Sequence, residues 1–211
     1  MSSARNDLVL LTSVDDDLCS RAVQHLGGAR VVRDEASLRA AQGTVLLTFG
    51  TSFIVPRDLI ARFSTAFNLH PASPSYPGRD PHHWAVYDRA SRYGATLHEM
   101  TERVDEGAIV DVDWFDVTPG TAPDALLAAA NDAALRILMR VGGRLHQGGA
   151  LDPLLGVQWS GIKRSRKDLL AICEIDAHIS QDEFEHRLFA FSSAGYNNLV
   201  TRIHGHTFRI E

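Results

Sequence analysis

The stretch Leu8-Val9-Leu10-Leu11-Thr12 is a short, continuous apolar run, and Thr44-Val45-Leu46-Leu47-Thr48 is a second run of the same kind. Such runs are typical of strands that are covered on both faces in a parallel sheet. Between them, residues 15–17 are acidic, as expected at a helix N-terminus, and Gly27-Gly28 provides a stop. Strands that alternate with helices predict an α/β domain, built on a mostly parallel, Rossmann-like sheet with helices on both faces.

The same pattern continues along the chain. It predicts strands at residues 29–32, 66–70, 94–100 and 109–117, and helices at residues 35–41, 56–63, 82–90 and from 121 towards Gly142-Gly143. Glycines and Pro153 then mark a shift in composition, which indicates a boundary between a main domain, residues 1–147, and a small C-terminal subdomain, residues 148–211. The subdomain is predicted to hold a helix near residues 183–191 and a terminal β-hairpin at 199–211.

Composition and charge exclude several classes of protein. The chain has 211 residues, 45% of them hydrophobic and 22% charged, which is ordinary for a globular fold. Its 21 basic and 26 acidic side chains give a formal charge of −5, so bulk charge does not attract nucleic acid or anionic lipid. Two distant cysteines, no secretory signal and no apolar run long enough for a membrane span predict a cytoplasmic, soluble protein.

Polar side chains of particular interest follow the strand predicted at residues 66–70. Asn68 and His70 lie two residues apart, so their side chains leave the strand on the same face. An amide and an imidazolium aimed at one oxygen form the oxyanion-stabilising pair that acyl transfer needs. The local pattern also fits an Asx-turn beside a surface histidine, and it leaves both interpretations open.

The chain resembles the folate-dependent formyltransferases, which include glycinamide ribonucleotide, methionyl-tRNA and nucleotide-sugar N-formyltransferases. The resemblance rests on five segments in the family's order. These are Asn68-Leu69-His70-Pro71, Tyr76-Pro77-Gly78, Trp84-Ala85, Gly94-Ala95-Thr96-Leu97-His98-Glu99-Met100 and Val104-Asp105-Glu106-Gly107-Ala108-Ile109. It implies a shortened formyltransferase fold, with a C-terminal layout closest to that of the sugar N-formyltransferases.

This resemblance implies that Asn68, His70 and Asp105 are the catalytic residues and that 10-formyltetrahydrofolate is the formyl donor. Asp105 would then either orient His70 or remove a proton from the attacking amine. Taken without the resemblance, Asp105 also fits a simple turn residue. The implied folate-binding stretch consists of Phe49, Gly50, Thr51, Ser52, Phe53 and Ile54, and an ordinary βα loop is the alternative there.

The acceptor is expected to be a primary amine on a small molecule, most simply a nucleotide-linked amino sugar. Tyr76, Trp84, Lys163 and Arg164 are the predicted acceptor-binding residues, although a basic run is often only a solvated surface. Methionyl-tRNA and hydroxyornithine formyltransferases, a formyltetrahydrofolate hydrolase and a non-catalytic binding module are the alternatives.

Two further expectations concern metals and assembly. The spacing of the ten histidines matches no metal site, because His98-Glu99 is followed by Glu102 where a zinc-protease motif has its second histidine. We therefore expect no metal. The terminal hairpin leaves an edge strand uncovered, which predicts a homodimer formed through it.

Overall fold

A central six-stranded sheet organises the molecule, in the strand order β2-β1-β3-β4-β5-β6. A computed structural model describes residues 8–148, 151–160, 162–193 and 196–210. The strands are β1 (Leu8–Thr12), β2 (Arg30–Val32), β3 (Val45–Phe49), β4 (Thr65–His70), β5 (Arg92–Glu99) and β6 (Ile109–Asp116). The first four are mutually parallel, and β5 runs antiparallel to both of its neighbours. The predicted mostly parallel sheet is therefore confirmed.

Five helices flank this sheet. They are α1 (Asp16–His25), α2 (Glu35–Ala40), α3 (Arg57–Ile60), α4 (Pro81–Tyr87) and α5 (Pro123–His146). The acidic start of α1 is explained by Asp15, whose carboxylate accepts the Leu18 backbone N–H at 2.8 Å and caps the helix. The segment predicted to be helical over residues 56–63 is shorter as an α-helix, because the chain turns after α3 to begin β4.

Helix α5 ends at His146, so Gly142-Gly143 lie near its end, as predicted. The helix continues past the glycines because Val141 and Leu145, on either side of them, are buried in the core. A side chain at Gly142 would place its Cβ 2.2 Å from the His25 carbonyl oxygen, so this glycine allows α1 and α5 to approach closely.

The C-terminal part adds two helices and a small sheet. Its elements are α6 (Arg166–Cys173), β7 (Glu174–Ile175), α7 (Gln181–Phe191), β8 (Ser192–Ser193), β9 (Tyr196–Asn197), β10 (Val200–Ile203) and β11 (His206–Arg209). The predicted hairpin is present as β10 and β11, and its turn is made by His204 and Gly205, both with positive φ. The short strand β7, which the pattern does not predict, pairs with β10 and completes a three-stranded sheet.

Three hydrophobic clusters show how these layers pack. The first lies between the sheet and helices α1 and α5, and the third covers the other face with α2 and α3, so helices lie on both faces. The second joins Trp84 of α4 and Leu126 of α5 to Leu169 and Phe191 of the C-terminal part. The domain division at residue 148 stays a prediction. None of the described helices combines the length and apolar character that crossing a lipid bilayer requires.

Candidate active site

The amide of Asn68 is fixed by its neighbours in the sheet. In the strand register, Thr48 of β3 and His98 of β5 lie directly on either side of Asn68. The Thr48 hydroxyl donates to Asn68 Oδ1 at 2.6 Å, and Asn68 Nδ2 donates to His98 Nε2 at 3.0 Å. These bonds decide which end of the amide is the donor, and they leave one N–H of Nδ2 free to act on a ligand.

His98 is buried, with 2% of its surface exposed, and its tautomer follows from its contacts. Its Nδ1 donates to the Glu99 carbonyl oxygen at 2.8 Å, so the lone pair on Nε2 is available to accept from Asn68. The pairing of β5 with β6 shifts register between Leu97 and His98. Such a bulge re-aims a side chain, and it is common beside active sites.

Asp105 enters the same place from the turn between β5 and β6. It is 3% exposed and has a φ of 51°, a left-handed conformation that few residues other than glycine adopt. The Gly78 backbone N–H donates to its Oδ2 at 2.8 Å. Its Oδ1 lies 3.4 Å from His98 Nε2 and has no hydrogen-bond partner among the described residues. An orphaned, buried carboxylate oxygen of this kind calls for a ligand or a water.

Opposing effects act on the Asp105 carboxyl. Burial on its own raises its pKa, but electrostatic interaction with His70, interactions with His98 and the hydrogen bond from the Gly78 N–H together outweigh burial and hold the pKa well below its usual range. The carboxylate is therefore ionised at neutral pH.

His70 completes the group and is 8% exposed. Its Nε2 lies 3.1 Å from the Tyr76 carbonyl oxygen, to which it donates, and 3.9 Å from Asp105 Oδ2. The structure thus brings Asn68, His70 and Asp105 together, with His98 between the amide and the carboxylate. Their catalytic roles stay a prediction.

A cleft of about 100 Å³ opens beside this group. Its lining includes Asn68, His98 and Asp105 together with residues of the loop after β3. The predicted folate-binding residues Thr51, Ser52, Phe53 and Ile54 all line it, as do Val55, Met100, Thr101, Arg103 and Val104. The cleft therefore combines apolar walls with a few polar groups, as small-molecule sites do.

The first two residues of the predicted folate-binding stretch lie elsewhere. Phe49 is fully buried in the first hydrophobic cluster and does not line the cleft. Gly50 has a φ of 56°, and a Cβ there would lie 2.2 Å from Val14 Cγ1, so packing explains this glycine. Neither residue is among those that line the cleft, and binding of folate through the backbone of this stretch stays a prediction.

The predicted acceptor-binding residues fall into two groups. Tyr76 and Trp84 belong to the second hydrophobic cluster: the Tyr76 ring packs 5.7 Å from that of Tyr93, and Trp84 is only 2% exposed. The Arg164 guanidinium lies 4.2 Å above the Trp84 ring, and Lys163 Nζ bonds Glu106 at 2.9 Å. Burial leaves Trp84 almost no surface to offer an acceptor, whereas the two basic residues are partly exposed.

A segment that follows α5, residues 159–160 and 162–165, packs over the loop that carries Gly78. We call it the strap. Ser160 N–H donates to the Pro74 carbonyl at 3.0 Å, and the Arg79 N–H donates to the Arg164 carbonyl at 2.9 Å. A Cβ on Gly78 would lie 2.3 Å from the Arg164 oxygen, so the loop and the strap are in close contact. Gly161 lies outside the described residues.

Three side chains of the site are missed when the sequence is taken alone. These are Thr48, His98 and Trp159, whose indole packs against His98. Strand register could have identified Thr48, and the family motif could have identified His98. No local sequence pattern identifies Trp159. Among the described residues, no group of three or more histidine, cysteine or acidic side chains could hold a metal ion.

Comparisons with known proteins identify the family of the chain. The formyl transferase family matches residues 30–141, more than half of the chain. A formyltetrahydrofolate deformylase of Synechocystis sp. is 32% identical over 94 residues, 44% of this chain. The matched part spans 33% of that relative's length.

Solved structures share the fold. A sugar N-formyltransferase from Shewanella sp. superposes with a TM-score of 0.77 at 17% identity, covering 96% of each chain. HypX from Aquifex aeolicus, in complex with tetrahydrofolic acid, gives a TM-score of 0.70 at 13% identity over 95% of this chain and 36% of HypX. The match over residues 30–141 shows that the chain belongs to the formyl transferase family. It confirms the resemblance to folate-dependent formyltransferases that the sequence motifs indicate.

Proposed function

We propose that the protein transfers a formyl group from 10-formyltetrahydrofolate to a primary amine of a small molecule. One observation carries the proposal: Asn68 and Asp105 line a cleft together with the loop at residues 51–54, and His70, which is not part of the lining, lies 3.9 Å from Asp105. The orphaned Oδ1 of Asp105 and the free N–H of Asn68 are unsatisfied groups of the kind that bind a reacting ligand.

The proposed chemistry needs no covalent intermediate on the protein. The amine attacks the formyl carbon, a new C–N bond forms, and negative charge develops on the formyl oxygen. The Asn68 N–H and the His70 imidazole stabilise that oxygen, for which each donor is worth about 2.7–4 kcal/mol. The bond from the formyl carbon to the folate nitrogen then breaks, the amine loses a proton to Asp105, and the departing folate nitrogen gains a proton, so that the products are the formamide and tetrahydrofolate. Asp105 is ionised and has an unpaired oxygen, which supports its role as proton acceptor.

The acceptor that we propose is a nucleotide-linked amino sugar. The structural match to a sugar N-formyltransferase over 96% of both chains supports this class, as do the partly exposed Lys163 and Arg164 on the strap. A net charge of −5 argues against a transfer-RNA substrate.

The experiment is a panel assay of the full chain. The protein is incubated with 10-formyltetrahydrofolate and, in separate reactions, with nucleotide-linked amino sugars, hydroxyornithine and methionyl-tRNA. We expect one amino sugar to gain the mass of one CO unit as tetrahydrofolate forms. Transfer to another acceptor would correct the substrate class, and no transfer to any amine would reject the activity.

Hydrolysis of the formyl donor is a second candidate, because the 32% identical relative is a formyltetrahydrofolate deformylase. Water would then take the place of the amine at the same site. Release of formate at the full rate without any amine would favour this activity.

If folate analogues neither release heat on titration nor raise the melting temperature, the protein is a non-catalytic module.

A further inference from the structure

Trp159 lies against both histidines of the site. Its ring centroid is 4.9 Å from that of His98 at an interplanar angle of 85°, and 6.1 Å from that of His70 at 61°. Both are edge-to-face arrangements, which aromatic rings favour. The indole is half-buried, whereas the two imidazoles are almost completely buried.

The hydrogen bonds of His70 do not by themselves fix its ring. Among the described residues, its one hydrogen-bond partner is the Tyr76 carbonyl oxygen, 3.1 Å from Nε2. An imidazole held at Nε2 can still tilt about that bond, which changes the direction of Nδ1, the ring nitrogen that is left to face the formyl oxygen. Packing of the indole against the imidazole restricts that freedom without competing for Nε2.

Trp159 also fixes the turn that carries Asp105. Its Nε1–H donates to the Gly107 carbonyl oxygen at 2.8 Å. This turn is tightly packed, because a Cβ at Gly107 would lie 1.8 Å from the Glu99 oxygen. One side chain thus contacts both imidazoles through its ring and the Asp105 turn through its N–H.

We propose that Trp159 is a positioning residue for formyl transfer, and that its ring orients His70 and His98 around Asp105. The inference rests on the proposed function. Trp159 does not line the cleft at residues 51–54, so it acts on the reacting groups and not on donor affinity. The strap is therefore part of the active site, although it follows the predicted boundary of the main domain.

The test compares three variants of the full chain. Trp159→Ala removes the ring and the N–H, Trp159→Phe keeps an aromatic ring without the N–H, and Trp114→Ala is the matched control on β6, where Arg92 covers the ring. A misplacement of about 1 Å costs roughly 100-fold in rate, so we expect kcat of Trp159→Ala to fall about 30- to 100-fold. We expect Trp159→Phe to stay within about fivefold of wild type, and KM for the donor to change less than about threefold.

A second measurement does not depend on turnover. In imidazole NMR spectra, the ring signals of His70 and His98 should shift or broaden in Trp159→Ala and stay in place in Trp114→Ala. Unchanged signals, or a kcat of Trp159→Ala within about threefold of wild type, would overturn the positioning role while the proposed function stands. Equal impairment of the Phe and Ala variants would also overturn it. A wild-type protein without transfer activity would instead refute the proposed function.

Discussion

At the scale of single residues, the site depends on how each polar atom is already occupied. The Thr48 hydroxyl donates a hydrogen bond to Oδ1 of Asn68, so the amide offers its N–H groups to other partners. The Gly78 N–H donates to Oδ2 of Asp105, and Oδ1 has no hydrogen-bond partner among the described residues. The result is a preorganised set of one donor and one acceptor, which lowers a barrier because nothing has to reorient during the reaction.

Replacing Asp105 by Asn tests the carboxylate. The amide oxygen of Asn can still accept the Gly78 N–H, so the fold should be retained by circular dichroism. Loss of the ionised acceptor should lower kcat about 100- to 10,000-fold, the usual contribution of acid–base catalysis. Asp116→Asn, at the exposed end of β6, is the control and should stay within about twofold. A near wild-type rate for Asp105→Asn would reject Asp105 as a catalytic residue.

A second residue-scale prediction concerns His82, next to the site. Burial first, and then the charges of His83 and His70, lower its pKa from 6.5 to about 3. Between pH 6.5 and about 3, His82 binds a proton in the unfolded chain but not in the folded protein. The contribution of neutral His82 to the unfolding free energy is therefore complete above pH 6.5 and declines as the pH falls towards about 3.

His82→Gln should remove that decline. In urea unfolding at several pH values across this window, the slope of unfolding free energy against pH should be smaller than in wild type by up to about 1.4 kcal/mol per pH unit. Exposed His178→Gln is the control and should keep the wild-type slope. Equal slopes for wild type and His82→Gln would show that His82 is not held neutral by the fold.

At the scale of elements, the strap and the loop below it couple the C-terminal part to the site. The strap holds the backbone around Gly78, and the Gly78 N–H in turn holds Asp105. A change far from the reacting atoms can therefore move the carboxylate.

Gly78→Ala tests this coupling. The new Cβ would lie 2.3 Å from the Arg164 oxygen at a φ of 98°, so both the loop and the strap must shift. Gly120→Ala is the matched control, since its φ is 82° but no atom lies within 4 Å. In both variants we expect backbone strain to lower the unfolding free energy by about 1–2 kcal/mol. In Gly78→Ala the clash should lower it by about 1–3 kcal/mol more, and kcat should fall strongly only in this variant. Equal kcat values would show that the coupling is absent.

The same scale shows what sequence can and cannot predict. Apolar runs identify β1 and β3 because a strand buried on both faces must be apolar throughout. The spacing of Asn68 and His70 places both on one face of β4. The structure brings His70 within 3.9 Å of Asp105, and Asn68 lines the same cleft as Asp105. The bulge at His98, the short strand β7 and the contact of Trp159 with His98 leave no local pattern, because each depends on segments that are distant in sequence.

At the scale of the whole molecule, the second hydrophobic cluster makes the C-terminal part a structural partner of the rest. Phe191 of α7 is fully buried, and its ring lies 5.0 Å from that of Trp84 on α4. The terminal hairpin, in contrast, exposes Ile203 and Phe208, each 51% accessible. Homodimer formation through this hairpin stays a prediction.

The shared cluster predicts that both parts unfold together. Phe191→Ala opens a cavity between α4 and α7 and should lower the unfolding free energy by about 3–5 kcal/mol. Phe189→Ala, on the same helix but 45% exposed, should cost less than about 1 kcal/mol. Urea unfolding followed by tryptophan fluorescence and by far-ultraviolet circular dichroism should give coincident single transitions in all three proteins. If Phe191→Ala instead shows an early transition with the sheet still intact, the C-terminal part folds as a separate unit.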